Sequence, residues 1–242
     1  MDPHDPSHVR ATHCSREELT DADVREMRGL LERHFDGVDG CQFAADLAEK
    51  SHVLRVRRGG ALVGFSTLLA YHRPVDGAAR NILYSGDTIM SPECWRSPAL
   101  SRGWIAMVLE IRASMPPGTC HWLLLSAGFR TYRFLPVFWR DFWPRHDRAM
   151  PDDVRRLRDT IARERFGRGY DPGTGVVRFP RPHRLRGALA EVPASRLDDP
   201  HVAFFLSRNP DWRDGDELVC LTEIDDANLT PAGRRMIRPP QP

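Results

Sequence analysis

Lysine is nearly missing from this sequence. Of its 35 basic residues only Lys50 is a lysine, an arginine bias that matches coding preference as well as function and by itself says nothing about partners. Long hydrophobic runs are absent: no stretch reaches the ~20 apolar residues of a membrane-spanning helix, and the opening MDPHDPSHVR lacks the apolar core of a secretory signal. Cysteine is sparse and scattered. Cys14, Cys41, Cys94, Cys120 and Cys220 are odd in number and form no C-x-x-C pair, which argues against a disulfide framework or zinc site and for a reducing compartment. His8, His13 and His34 show no ligand spacing, so no metal is expected. A net charge of +2 gives no strong pull on nucleic acid or acidic membranes. The expectation is a cytoplasmic globule that binds neither.

What is present suits a folded core. Apolar residues make up 41% of a 242-residue chain, enough for one large domain. The stretch that organises the rest is Asn81 to Glu110. An apolar, β-branched run from Ile82 to Met90 stops at Ser-Pro-Glu, a short loop carries Arg96, and a helix pattern starts near Ala99 with Trp104, Met107, Val108 and Ile111 on one face. A strand passing through a basic loop into a helix N-terminus presents unpaired N–H groups and the helix dipole to a phosphate or carboxylate.

On the N-terminal side, residues 1–8 read as frayed and Val9 to Cys14 as a strand. Thr20 is an N-cap with Asp23 three residues on, opening a helix that ends before Gly37. A second helix covers Gln42 to Lys50. A hairpin follows: His52 to Arg57, a Gly59-Gly60 turn, then Ala61 to Tyr71 interrupted by Gly64. Residues 73–79 read as a loop. On the C-terminal side, Met115-Pro-Pro-Gly stops the helix, His121 to Ser126 is a buried strand, and Gly128 begins a second strand-to-helix turn. The next helical segment carries Pro136, which predicts an early break. Asp152 to Phe166 is an amphipathic helix. Residues 170–179 suggest a turn and strand, 201–209 a short helix, and 216–225 a last strand, with a loose tail from Arg234. Strands two to four follow one another without helices, so they should form an antiparallel meander in an α/β (α+β) fold.

This element order resembles the GNAT superfamily of acyl-CoA-dependent N-acyltransferases over roughly residues 8–145. Met90-Ser91-Pro92-Glu93 looks like that family's V-x-P-E lead-in. Arg96-Ser97-Pro98-Ala99-Leu100-Ser101 occupies the place of its R/Q-x-x-G-x-G/A pyrophosphate loop, with both glycines replaced and one extra residue between Pro92 and Arg96. The resemblance implies a mixed, mostly antiparallel sheet flanked by helices, a GNAT-like core at 9–145 and an α/β extension at 146–242. It implies acyl transfer from acyl-CoA to a small amine, with the thioester held by backbone N–H groups of Ile89 and Met90. Arg96, Ser97, Ala99, Leu100 and Ser101 would hold the pyrophosphate. Segments such as YSGDTIMSPECW and FRTYRFLP look like a set of large bacterial GNAT-like proteins.

Acyl transfer to an amine needs a base, an oxyanion site and an acid for the leaving thiolate. Asp87, an acid inside an apolar strand, is the candidate base; the alternative is an acid that caps a turn or pairs with an arginine. Tyr132 is the candidate acid by neighbourhood, since the resemblance places a tyrosine on the fourth helix; the alternative is a packed core aromatic. His121 reads as an edge histidine, Glu93 as solvated, and Cys94 lacks a partner histidine. Phe134, Phe138, Trp139, Phe142 and Trp143 line an acyl pocket or simply pack a helix. Because the phosphate loop is altered, an acyl-carrier protein meeting Arg96, Arg102, Arg130 or Arg133 is an alternative donor, and a non-catalytic GNAT-shaped binding protein is an alternative function. Monomer and homodimer both remain open.

Overall fold

The computed structural model describes residues 9–237. Six strands carry the sheet: β1 (Val9–Ser15), β2 (His52–Arg58), β3 (Ala61–Val75), β4 (Ala78–Met90), β5 (Thr119–Ser126) and β6 (Glu217–Glu223). Their spatial order is sequential, β4 and β5 run parallel, and every other neighbouring pair is antiparallel. Beyond β6 the short pair Val176–Val177 and Tyr170–Asp171 extends the sheet, while Phe142–Trp143 pairs with the other end of β6. The mixed sheet with its β2–β4 meander is the fold class expected from the sequence.

The helices are α1 (Asp21–His34), α2 (Gly40–Ala48), α3 (Ala99–Ser114), α4 (Phe129–Phe138), α5 (Asp152–Phe166), α6 (Pro200–Arg208) and α7 (Pro231–Ile237). Among the described residues no helix is long and apolar enough to cross a membrane. Local chemistry sets their ends. Thr20 accepts from the Asp23 N–H while the Asp23 carboxylate receives the Thr20 N–H, closing the box at α1. Asp39 caps α2 through the Gln42 N–H at 2.8 Å. Pro136 sits inside α4, which ends two residues later.

Two expectations change. Residues 73–79 are not a loop: β3 and β4 continue into a two-residue hairpin, with Asp76 and Gly77 both at positive φ (51° and 76°). Asp-Gly supplies the left-handed pair that such a turn requires. The segment from Arg234 is not loose, because Pro231–Ile237 forms α7, packed against α3 and α4. The expectation for residues 1–8 lies outside the described residues, as does the end of the tail.

Helices cover both faces of the sheet. On one face α3, α4 and α6 bury Leu54, Leu83, Trp104, Trp122 and Leu124. On the other, α1 and α2 cover Phe65 and Ile89, and α5 covers Ile82, Tyr84, Leu123 and Val219. Alternation along β4 decides these assignments up to Ser85 and is then interrupted. Ser66 faces Thr88 while Leu68 faces Ser85, so Thr67 alone opposes both Gly86 and Asp87. This β-bulge re-phases the strand and places Ile89 on the face of Ile82 and Tyr84.

Candidate active site

Past the bulge, β4 leaves its parallel neighbour. Pairing between β4 and β5 runs from Arg80–Thr119 to Ser85–Leu124 and stops there. The remaining five residues of β4, Gly86 to Met90, face a gap on the β5 side. A cavity of about 780 Å³ occupies it. Trp104, Trp122, Leu124 and Phe134 line the cavity from the α3/α4 side, and Lys50, Tyr84, Asp87 and Glu217 from the α1/α2/α5 side, so it passes between the strands from face to face.

The ladder identifies the N–H groups that look into the gap. Ser91 donates to Val63 O on β3 at 2.8 Å. Backbone direction alternates along a strand, so the Ile89 N–H also turns toward β3, whereas those of Thr88 and Met90 turn toward the gap. Of the two nominated amides, that of Met90 faces the gap and that of Ile89 faces β3; the Thr88 N–H faces the gap as well. The Met90 carbonyl is capped by Trp95 Nε1 at 2.8 Å.

Two carboxyls meet at this opening. Asp87 follows the bulge on β4. Glu217 begins β6 beside the end of β5, where its successor Leu218 faces Ser126. Glu217 shares a face with Val219 and Leu221. Both side chains keep partial exposure where they line this open cleft. Burial pushes the Glu217 carboxyl up to about 8, and the charge of Asp87 adds to the push. Burial also raises Asp87, opposed by the positive charges of His183 and Lys50. Like charges sharing one site titrate as a pair. Asp87 is drawn back toward ionisation by Lys50 and His183, whereas Glu217 has no such neighbour.

A cationic group closes this side. Lys50, two residues beyond α2, is buried, and its Nζ lies 4.9 Å from the centre of the Tyr84 ring. Arg165 of α5 pairs with Glu49, and its guanidinium stacks 4.3 Å from the same ring. His183 precedes a two-residue strand, Arg184–Leu185, that pairs with Phe35–Asp36 and holds it over the cavity. Lys50, Glu217, Arg165 and His183 were all missed from sequence. The one available signal was the singularity of Lys50; the others come from helix, strand and loop segments remote in the chain.

The start of α3 is poorer in donors than the resemblance implied. Pro98 has no N–H, and the Ala99 N–H is already held by Ser97 Oγ at 3.2 Å. Leu100 and Ser101 keep first-turn N–H groups without a partner among the described residues. Leu100 lines the cavity, whereas Arg96, Ser97, Ala99 and Ser101 do not border it, and Arg96 is exposed. Arg130 stacks 4.2 Å from the Trp95 ring and donates to Leu189 O and Glu191 O; Arg133 pairs with Asp199 at 2.8 Å.

Tyr132 stands apart. It is fully buried among Phe142, Phe204 and Phe205, and its hydroxyl donates to Pro144 O at 2.9 Å. Burial pushes its phenol up, away from the range of a proton donor at neutral pH. It does not line the cavity, and its place there is structural. Tyr132→Phe should lower stability by about 1–3 kcal/mol, because a buried carbonyl loses its donor, and leave turnover unaltered; urea melts and steady-state rates check both. Among the five nominated aromatics Phe134 alone lines the cavity, while Trp139 and Phe142 are core. His121 lies at the start of β5, at the end of the sheet away from the gap.

Sequential strands β1 to β6, one parallel step at β4–β5, a bulge in β4 and the splay it opens define a GNAT-like fold. No protein-family model matches the chain, and no curated protein matches it. Solved structures similar to it include a conserved protein of unknown function from Enterococcus faecalis V583, a probable N-acyltransferase, with TM-score 0.41 and 16% identity over 58% of this chain and 37% of that one. A Trypanosoma brucei acetyltransferase matches with TM-score 0.39 and 17% identity over 59% and 97%. Escherichia coli ElaA matches with TM-score 0.38 and 12% identity over 60% and 93%. The chain thus spans little more than a third of the Enterococcus protein, and overlays this loose carry no argument about activity.

Proposed function

We propose that the protein is an N-acyltransferase that moves an acyl group from an acyl-CoA to a small amine by direct transfer inside the cavity. The observation that carries this reading is the unpaired stretch Gly86 to Met90, with a cavity running through the gap beside it. Strand edges inside a domain are normally paired or covered. An edge left open over five residues, with the Thr88 and Met90 N–H groups pointing into a cleft, is a receptor for an extended, amide-bearing ligand such as a pantetheine arm. The thioester supplies the activated acyl carbon.

The chain's own residues supply the rest. The Thr88 and Met90 N–H groups donate to the carbonyl oxygen as it gains charge. Asp87 accepts the proton that the acceptor ammonium must lose before its nitrogen can attack. Glu217, still protonated at neutral pH, donates its proton to the thiolate as the C–S bond breaks, and the second proton shed by the new amide nitrogen restores it. Two carboxyls held at different protonation levels thus provide base and acid without Tyr132. The Leu100 and Ser101 N–H groups receive the diphosphate at the start of α3. With Arg130 and Arg133 engaged internally, free CoA suits the entrance better than a docked carrier protein.

Thermal melts with CoA, acetyl-CoA and longer acyl-CoAs test this reading. At one hundred times Kd a ligand of the folded state adds about 2.7 kcal/mol of stability. A rise in Tm with CoA, together with thiol release when an amine is added, is the expected result. No shift with any of these ligands would return the chain to a binding protein of GNAT shape.

A further inference from the structure

Lys50 is the one lysine of the chain, and its surroundings do not explain it as a structural residue. Its residue exposure is 8%, yet its Nζ has neither an ion pair nor a hydrogen bond among the described residues, only the Tyr84 ring. The neighbouring Glu49 is engaged by Arg165. Burial pushes the Lys50 amine down, and Asp87 and the acids near α2 offset this only through space, without a direct contact, so the amine has room for an anionic group that reaches it. The amine reaches the bulge: a Cβ built on Gly86 would lie 2.5 Å from Lys50 Cε and 3.2 Å from Nζ. A second polar group in the same cavity is equally unpartnered. His183 Nε2 is buried without a hydrogen bond, and its charge acts on Asp87, as that of Lys50 does.

We propose that Lys50, with His183 beside it, receives a carboxylate on the acceptor, so that the amine acylated here belongs to an amino acid. This rests on the transferase reading and names its acceptor class. An amino acid is a zwitterion, and the acceptor side of the cavity has both complements: Asp87 for the ammonium, Lys50 and His183 for the carboxylate. Its ammonium would then sit at Asp87, beside the gap through which the thioester is reached. A simple amine would satisfy only half of this site and leave Lys50 without a directly bonded partner. Arg165 does not compete for the ligand, because Glu49 and the Tyr84 ring already hold it.

The test compares amino acids with their decarboxylated partners, as phenylalanine with 2-phenylethylamine and leucine with isopentylamine, across all twenty side chains. Binding is read by calorimetry and thermal shift on the full chain, with and without saturating CoA. At least one amino acid should bind about tenfold to a hundredfold more tightly than its amine, the range expected for a charge-assisted hydrogen bond. Lys50→Met should abolish that ratio, Lys50→Arg should keep part of it, and His183→Ala should reduce it. CoA should bind Lys50→Met as it binds the wild type, which shows that the variant is folded. Amines binding as well as amino acids, no binding of either, or a ratio unchanged in Lys50→Met would each overturn the proposal. Failure of the transferase reading looks different: CoA gives no shift, whatever the amino acids do.

Discussion

Asp87→Asn should lower turnover of an amine by about two to four orders of magnitude, the usual contribution of a positioned base, with little change in CoA binding. An amide at this position has the same shape and no proton affinity, so the loss should appear in kcat. Glu217→Gln should act differently. It keeps a hydrogen-bond donor at the end of β6, so its rate loss should be smaller, and its effect should lie in the pH profile. Wild-type activity should rise as Asp87 ionises and fall above about pH 8 as Glu217 loses its proton; the variant should lack the alkaline fall. Stability gives an independent reading. A carboxyl raised from 4.5 to about 8 keeps a proton in the folded protein that the unfolded chain has released, so wild-type stability falls as pH rises through that window. Glu217→Gln should remove the fall, gaining about 2 kcal/mol at alkaline pH, a figure kept below the full shift because water in the cavity screens the charge. Urea melts between pH 5 and 9 measure this. A wild-type slope equal to that of the variant would remove Glu217 from the proposed pair.

The second large effect is expected at Gly86. The Cβ of Gly86→Ala would meet Lys50 Cε at 2.5 Å and Thr67 Oγ1 at 2.6 Å. Thr67 is fixed in β3 opposite the bulge, so relief must come from displacing Lys50 or flattening β4. Overpacking of this kind costs about 1–3 kcal/mol. The functional loss should be larger than the stability loss, because a flattened strand closes the gap. Gly29→Ala on α1 is the matched control: its Cβ would meet only Arg33 Nη1 at 3.9 Å, and replacing a helical glycine should stabilise by about 0.5–1 kcal/mol. CoA-induced shifts in the two variants separate a collapsed gap from a merely weaker fold.

Most elements were legible because their signals are local. The Thr20–Asp23 box, the Gly59-Gly60 turn, Pro136 and the α5 periodicity each act within a few residues, and each produced the expected element. The Asp76-Gly77 turn was equally local and was misread, since the polar loop around it obscured a two-residue hairpin. The helix at the C-terminal end draws its stability from packing on α3 and α4, which composition does not reveal.

The candidate site divides along the same line. The nomination of Asp87 came from the sequence alone, because an acid beside glycine in an apolar strand is a local anomaly; the amide of Met90 was what the resemblance implied. Strict alternation, however, would have put Asp87 under α3 with Leu83 and Ser85. Only the bulge turns it toward α2, where Lys50, His183 and Glu217 converge from segments more than 160 residues apart at the extremes. Tertiary structure also removed Tyr132, whose hydroxyl found Pro144 once α4 and α6 had packed. Propensity and periodicity act over one turn or one strand and so determine elements. Which polar groups end up unpaired around a gap depends on strand register and on long-range packing, and the folded chain alone decides it.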